Sequence, residues 1–90
     1  MSVTVTMPKL GMTMESGKVQ VWLKAEGASV SHDEPILTIE TEKATAEVTA
    51  PATGLLLIRA QPGEELPVGA VLAEVATDRA EYERLRGPGV

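Results

Sequence analysis

Gly17-Lys18-Val19-Gln20-Val21 and Gly54-Leu55-Leu56-Leu57-Ile58 open two stretches built on one pattern, and that repeat decides the fold. Glu26-Gly27-Ala28-Ser29-Val30 aligns with Pro62-Gly63-Glu64-Glu65-Leu66. Ile36-Leu37-Thr38-Ile39-Glu40-Thr41 aligns with Leu72-Ala73-Glu74-Val75-Ala76-Thr77. A one-residue slip separates the first pair of blocks from the second, after which the register holds. Repeats this short cannot each close a core, so the two halves are expected to pack against one another. The segment joining them, residues 42–50, sets acidic side chains around one lysine. The symmetry puts that residue, Lys43, at the tip of a hairpin, offered outward.

Period-two alternation runs through the chain. Val3, Val5 and Met7 alternate with Thr4 and Thr6; Val19, Val21 and Leu23 with Lys18, Gln20 and Trp22; Leu37 and Ile39 with Thr38 and Glu40. These read as half-buried strands. Pro8, Gly11, Gly17, Gly27, Pro35, Pro51, Gly54, Gly63, Pro67 and Gly69 punctuate residues 1–77 too often for a helix. Many short strands with tight turns predict an all-β sandwich or flattened barrel. Residues 1–77 are expected to form that domain, and residues 78–90 a C-terminal tail or the start of a linker. In the tail, Asp78 can cap one or two helical turns through Tyr82 and Leu85, which Gly87-Pro88-Gly89 would stop; a frayed terminus is expected.

Composition narrows the function. Ninety residues allow one small domain with a modest core. Only Trp22 and Tyr82 are aromatic, so Val, Ile, Leu, Ala and Met must build the core. The absence of cysteine excludes disulfides, thiolate metal sites and protein-borne thiol chemistry. Met1-Ser2-Val3-Thr4-Val5-Thr6 has no basic segment leading into an apolar run, and no stretch is long enough to span a membrane as a helix. A soluble, cytoplasmic protein without membrane contact is the expectation. A net charge of −5 and the lack of stacking aromatics argue against nucleic acid.

Most catalytic constellations are missing. The single histidine, His32, lies in Ser31-His32-Asp33-Glu34, a polar run between strands, and reads as a surface turn residue without a triad or metal partner. Alternation puts Glu40 and Glu42 on one face of an extended segment. With Glu47 they read as solvated charge, since nothing forms a pocket to perturb them. There is no P-loop, dinucleotide fingerprint or Gly-x-Ser-x-Gly elbow. The chain is expected to catalyse nothing by itself. Met7 ends a strand and reads as core, whereas Met12 and Met14 fall in a loop, either as a flexible contact surface or folded back over the barrel. Trp22 takes the polar phase of its strand, so it is partly exposed or marks a bulge, and is expected to cover the barrel edge. A lysine in a charged hairpin ordinarily does no more than keep a strand edge soluble.

Four motifs in order change that reading of Lys43. Met7-Pro8-Lys9-Leu10-Gly11-Met12-Thr13-Met14-Glu15-Ser16-Gly17, Val21-Trp22-Leu23-Lys24-Ala25-Glu26-Gly27, Glu40-Thr41-Glu42-Lys43-Ala44-Thr45 and Ala50-Pro51-Ala52-Thr53-Gly54 resemble the lipoyl domains of 2-oxo acid dehydrogenase acyltransferases. The resemblance runs from about residue 3 to 76. It implies a flattened barrel of two four-stranded antiparallel sheets with quasi-twofold symmetry. It also implies that Lys43, in the turn of Thr41, Glu42 and Ala44, carries lipoic acid in amide linkage. Glu42 stands where such domains usually have Asp; it keeps the charge but tolerates tight-turn geometry less well.

The implied role is a swinging arm. A lysine amine is protonated at neutral pH, so a lipoate ligase or lipoyl transferase must deprotonate it before acylation, and an exposed tip can enter such a site. The arm would then serve a thiamin-diphosphate-dependent decarboxylase (reductive acylation), an acyltransferase core (transfer to coenzyme A) and a dihydrolipoyl dehydrogenase (reoxidation). Tethering raises its effective concentration at each. By the same resemblance the loop of residues 8–16, with Leu10, Gly11, Met12 and Thr13, lies near the lipoyl turn and is read by the decarboxylase; its Leu10-Gly11-Met12-Thr13-Met14 version looks more like pyruvate, acetoin or branched-chain carriers than oxoglutarate ones. Two alternatives stand beside it. Biotin carrier domains share the fold but resemble Ala-Met-Lys-Met at the lysine, where this chain has Glu42 and Ala44. Lipoyl-like structural adaptors lack the modified lysine and are interrupted by a long helical hairpin. A glycine-cleavage carrier is set aside, since that family is longer and its lysine motif differs.

Overall fold

Strands form where the alternation predicts them. The computed structural model describes residues 2–86. In chain order it contains β1 (Val3–Thr6), β2 (Ser16–Trp22), β3 (Ser29–Val30), β4 (Pro35–Glu40), β5 (Thr45–Thr49), β6 (Gly54–Ile58), β7 (Glu65–Pro67), β8 (Val71–Ala76) and the helix α1 (Arg79–Arg86). The strands make two four-stranded antiparallel sheets, ordered β1-β8-β6-β3 and β5-β4-β2-β7. Exchanging β1 to β4 with β5 to β8 turns either order into the other, so the sequence repeat is a quasi-twofold of the fold.

The symmetry extends to single residues. Val3 pairs with Val75 and Thr4 with Glu74 as Ala46 pairs with Ile39 and Glu47 with Thr38. In one half the Gly27 N–H donates to Leu56 O at 2.7 Å and the Leu56 N–H to Ala28 O at 2.9 Å. In the other the Gly63 N–H donates to Val19 O at 2.7 Å and the Val19 N–H to Glu64 O at 2.8 Å. Gly27 (φ 82°) and Gly63 (φ 92°) both take the left-handed backbone that these loop-to-strand bonds need, which a side chain would oppose. Each sheet draws strands from both halves, so neither half has a core of its own. Met7, Val19, Val30, Ile36, Leu37, Ile39, Leu56, Leu72 and Val75 are the largest fully buried side chains. Each such aliphatic side chain contributes roughly 1.5–3 kcal/mol relative to an exposed one.

Two expectations need correction. The alternation of Val19, Val21 and Leu23 breaks at Gln20, where the register of β2 on β4 jumps from Val19–Ile39 to Val21–Thr38. The extra residue of this bulge reverses the strand's phase. Val21 and Leu23 therefore face outward, and Trp22 packs against the core while its indole N–H donates to Ala60 O at 2.9 Å. The tail is also not frayed over residues 79–86. Asp78 Oδ1 accepts the Glu81 N–H at 2.8 Å as the N-cap, and Tyr82, 4% exposed, packs with Leu57, Ala76, Leu55 and Leu85 on the outer face of the first sheet. The Tyr82 hydroxyl donates to Glu26 Oε2 at 2.7 Å, and the other Glu26 oxygen accepts the Ile58 N–H at 2.8 Å. The Gly87-Pro88-Gly89 stop lies outside the described residues. Among the described residues no helix is long and apolar enough to cross a membrane.

Candidate functional site

β4 and β5 pair up to Glu40–Thr45, which leaves Thr41, Glu42, Lys43 and Ala44 to reverse the chain. The Thr41 N–H donates to Ala44 O at 2.8 Å. The return bond of a β-turn, from the Ala44 N–H to the Thr41 carbonyl, is not made; the Ala44 N–H donates to Thr41 Oγ1 at 3.2 Å instead. The same hydroxyl oxygen accepts the Lys43 N–H at 3.3 Å and donates to Ala44 O at 3.0 Å. Neither Glu42 nor Lys43 has a positive φ. Glu42 therefore needs no left-handed backbone here, and the disadvantage expected of Glu against Asp does not arise from the turn's geometry. Glu42 sits in the turn rather than on an extended segment with Glu40. Lys43 is exposed, and its ammonium joins none of the ion pairs among the described residues.

The connection from β1 to β2 lies alongside. Its backbone folds around Met14: the Leu10 N–H donates to Met14 Sδ at 3.2 Å, and the Met14 N–H to Gly11 O at 3.2 Å. The two loop methionines divide the alternatives between them. Met14 turns back onto the core, and Met12, 94% exposed, projects into solvent. Leu10, Gly11, Thr13 and Met14 line one side of an open groove whose other side is formed by residues 41–44 and Ala46; Lys18 and Glu65 also border it. Glu65 is held there by a 2.8 Å hydrogen bond from the Ser16 hydroxyl.

The structure thus brings Leu10, Gly11 and Thr13 to the same groove as Thr41, Glu42, Lys43 and Ala44, while Met12 stands beside it. His32 is exposed, paired at 3.2 Å with Asp33, and its N–H donates to Thr53 Oγ1 at 3.0 Å, away from the groove. No group of three or more metal-ligating side chains is arranged around an ion among the described residues. Sequence reasoning missed the Thr41 hydroxyl as the closure of the turn and Met14 as the organiser of the loop. The threonine's place at the start of a turn was the available signal for the first; nothing in the sequence distinguished Met14 from Met12.

Comparison with known proteins agrees with this geometry. A family profile described as "Biotin-requiring enzyme" matches residues 3–75. The chain is 46% identical over 83 residues to the dihydrolipoyllysine-residue acetyltransferase component of the acetoin cleaving system of Pseudomonas putida, covering 91% of this chain and 22% of that protein. It is 42% identical to the corresponding Bacillus subtilis component, covering 100% of this chain and 23% of the relative. With the acetyltransferase component of the Corynebacterium glutamicum pyruvate dehydrogenase complex it shares 38% over 74 residues, covering 81% of this chain and 11% of the relative. The chain therefore spans less than a quarter of the length of these curated relatives. The solution structure of the lipoyl domain of the Azotobacter vinelandii 2-oxoglutarate dehydrogenase complex superposes with a TM-score of 0.69 at 29% identity, covering 86% of this chain and 99% of that domain. With its symmetric barrel and its lysine on a two-residue turn, the chain belongs to the biotinyl/lipoyl-attachment family and is, within it, a lipoyl domain.

Proposed function

We propose that Lys43 is the residue that carries lipoic acid, and that the domain moves acyl groups and reducing equivalents within a complex of the acetoin-cleaving or pyruvate dehydrogenase type. The observation that carries this reading is the turn itself, an exposed lysine that joins no ion pair among the described residues, on a tip two residues from Thr45, where the pairing of the hairpin resumes. The residues present suit the group. An amine at such a tip can enter a ligase site that a sheet-centre lysine could not reach, and neither Glu42 nor Ala44 branches at Cβ to crowd it. Lipoic acid in amide linkage supplies a dithiolane, a sulfur pair able to take an acyl group and electrons that this cysteine-free chain lacks.

Amide formation removes one positive charge from a chain of net charge −5 and leaves Glu40 and Glu42 at the groove beside the tip, with Glu47 further along β5. Basic surfaces at the mouths of partner sites would complement such a rim and hasten encounter. The partners proposed are a lipoate ligase or lipoyl transferase, a thiamin-diphosphate-dependent decarboxylase, an acyltransferase core and a dihydrolipoyl dehydrogenase. The names of the acetoin-system relatives, at 46% and 42% identity, support that type first.

Intact mass after incubation with a lipoate ligase, ATP and lipoate tests the assignment. One lipoyl group should appear on the wild type and none on Lys43→Arg. A biotin ligase should add nothing; a biotinyl adduct in its place would overturn the lipoyl reading. The modified domain should then be reductively acetylated by an acetoin-cleaving decarboxylase faster than it is reductively succinylated by a 2-oxoglutarate one.

A further inference from the structure

We infer that Thr41 is a positioning residue for the modification of Lys43: its hydroxyl, rather than the backbone, holds the turn in the shape that presents the lysine to the modifying enzyme. The inference rests on Lys43 being the lipoylated residue.

Two-residue hairpin loops favour turns with a positive φ at the first or both central residues, because that twist matches the flanking strands, and other turns splay them. Glu42 and Lys43 both lack a positive φ, so the tip, joined across Thr41 and Ala44 by the single backbone bond from the Thr41 N–H to Ala44 O, is not one of those twist-matched turns. It has also forgone the bond from the Ala44 N–H to the Thr41 carbonyl that closes an ordinary turn. Thr41 Oγ1 takes that place. A hydroxyl has one hydrogen to donate and two lone pairs to accept, and all three are engaged inside the turn: to Ala44 O at 3.0 Å, from Ala44 N–H at 3.2 Å and from Lys43 N–H at 3.3 Å. One of these bonds falls on the lysine's own backbone, so the oxygen fixes the residue from which the reactive side chain departs.

The consequence is kinetic. A ligase that binds one turn conformation loses apparent affinity in proportion to the fraction of molecules that leave it, while a bound lysine reacts as before. Removing the hydroxyl should therefore raise KM and leave kcat unchanged. Three hydrogen bonds in a solvent-exposed turn, each of modest net worth, place the expected loss at about tenfold in kcat/KM.

The test compares wild type, Thr41→Val and Thr41→Ser in steady-state lipoylation by a lipoate ligase, followed by intact mass. Amide hydrogen exchange at Lys43 and Ala44 is measured in parallel. Valine keeps the branched shape and loses the hydroxyl; serine keeps the hydroxyl. The expected result is a KM about tenfold higher for Thr41→Val with kcat unchanged, faster exchange at both amides, and near-wild-type behaviour for Thr41→Ser. An unchanged KM for a folded Thr41→Val, a serine variant that falls as far as valine, or a loss confined to kcat overturns the role of Thr41 while the carrier reading stands. A wild-type chain that accepts no lipoyl group overturns the carrier reading, and the presenting role with it.

Discussion

The two halves of the barrel share a strand pattern and differ in how firmly each is closed. Gly17 and Gly54 occupy matching places in the repeat. A Cβ on Gly54 would collide with the Ala76 carbonyl, whereas one on Gly17 would meet the thioethers of Met7 at 2.9 Å and Met14 at 3.2 Å. The connection after β5 takes residues 50–53, and the matching one after β1 takes residues 7–15. On the outer faces, β2 shows Lys18 and Gln20 to solvent, while β6 shows Leu55 and Leu57 to α1. Where the halves agree they build the core. Where they differ, the half beside Lys43 is bordered by flexible side chains and a long loop, and the other is sealed by backbone and a helix.

The largest expected effect breaks the seal. Gly54→Ala forces a methyl group against rigid backbone and should destabilise the domain by about 3 kcal/mol or more, a Tm loss on the order of 10–20 °C by calorimetry. Gly17→Ala, facing the thioethers of buried Met7 and part-buried Met14 rather than backbone, should lose less, about 1–2 kcal/mol. Equal losses would erase the contrast. Next is α1: Tyr82→Ala removes the ring that covers Leu57 and Ala76 and should weaken helix docking by on the order of 2 kcal/mol. It should be read as faster amide exchange in residues 79–86 with the barrel amides still protected. Smallest is Met14→Ala, which should change Tm by a few degrees at most yet broaden the NMR signals of residues 10–13, since Met14 Sδ is the acceptor that ties down the Leu10 N–H.

Acid and alkali sharpen the same comparison. The Thr77 N–H bonded to Glu81 holds that carboxyl below its ordinary value of 4.5. Its contribution to docking is therefore present above pH 4.5 and is lost as pH falls through the lower folded-state value. The hydrogen bond to Glu26, with burial, pushes the Tyr82 phenol above its ordinary 10.0. Its contribution is present below pH 10.0 and is lost as pH rises through the raised value. Helix docking should stay level between those limits and weaken outside them. Far-ultraviolet circular dichroism across the range checks this, with Tyr82→Phe expected to lose the alkaline limb alone.

Much of this was legible in the sequence because the repeat and the alternation report on the same thing, which side of a strand meets the core. Lys43 was legible because a turn between two halves has nowhere to go but outward. The bulge was legible in part: Trp22 off-phase offered it as one of two readings, but a one-residue insertion in a ladder leaves no mark in composition that places it at Gln20. The docking of α1 did leave a sign. Leu55-Leu56-Leu57-Ile58 is apolar at every position, as a strand covered on both faces must be, while β2 alternates. The role of Thr41 depends on which oxygen accepts the Ala44 N–H, a choice between side chain and backbone that residue identity alone does not decide.

The lysine turn closes β4 onto β5, and in the place the twofold relates to it β1 begins and β8 ends, open and side by side. β2 starts near the turn, where Lys18 faces Glu40, and finishes at Trp22, whose indole touches Ala60 just past β6; β6 starts at Gly54 beside Ala76. The route from the turn to the open end thus runs the length of both strands. Held at the open end, the barrel is a lever whose arm is the run of those strands. A rotation at that hold carries Lys43 along an arc that adds to the side chain's own reach, and the stiffness of the core sets how faithfully a twist at one end becomes travel at the other.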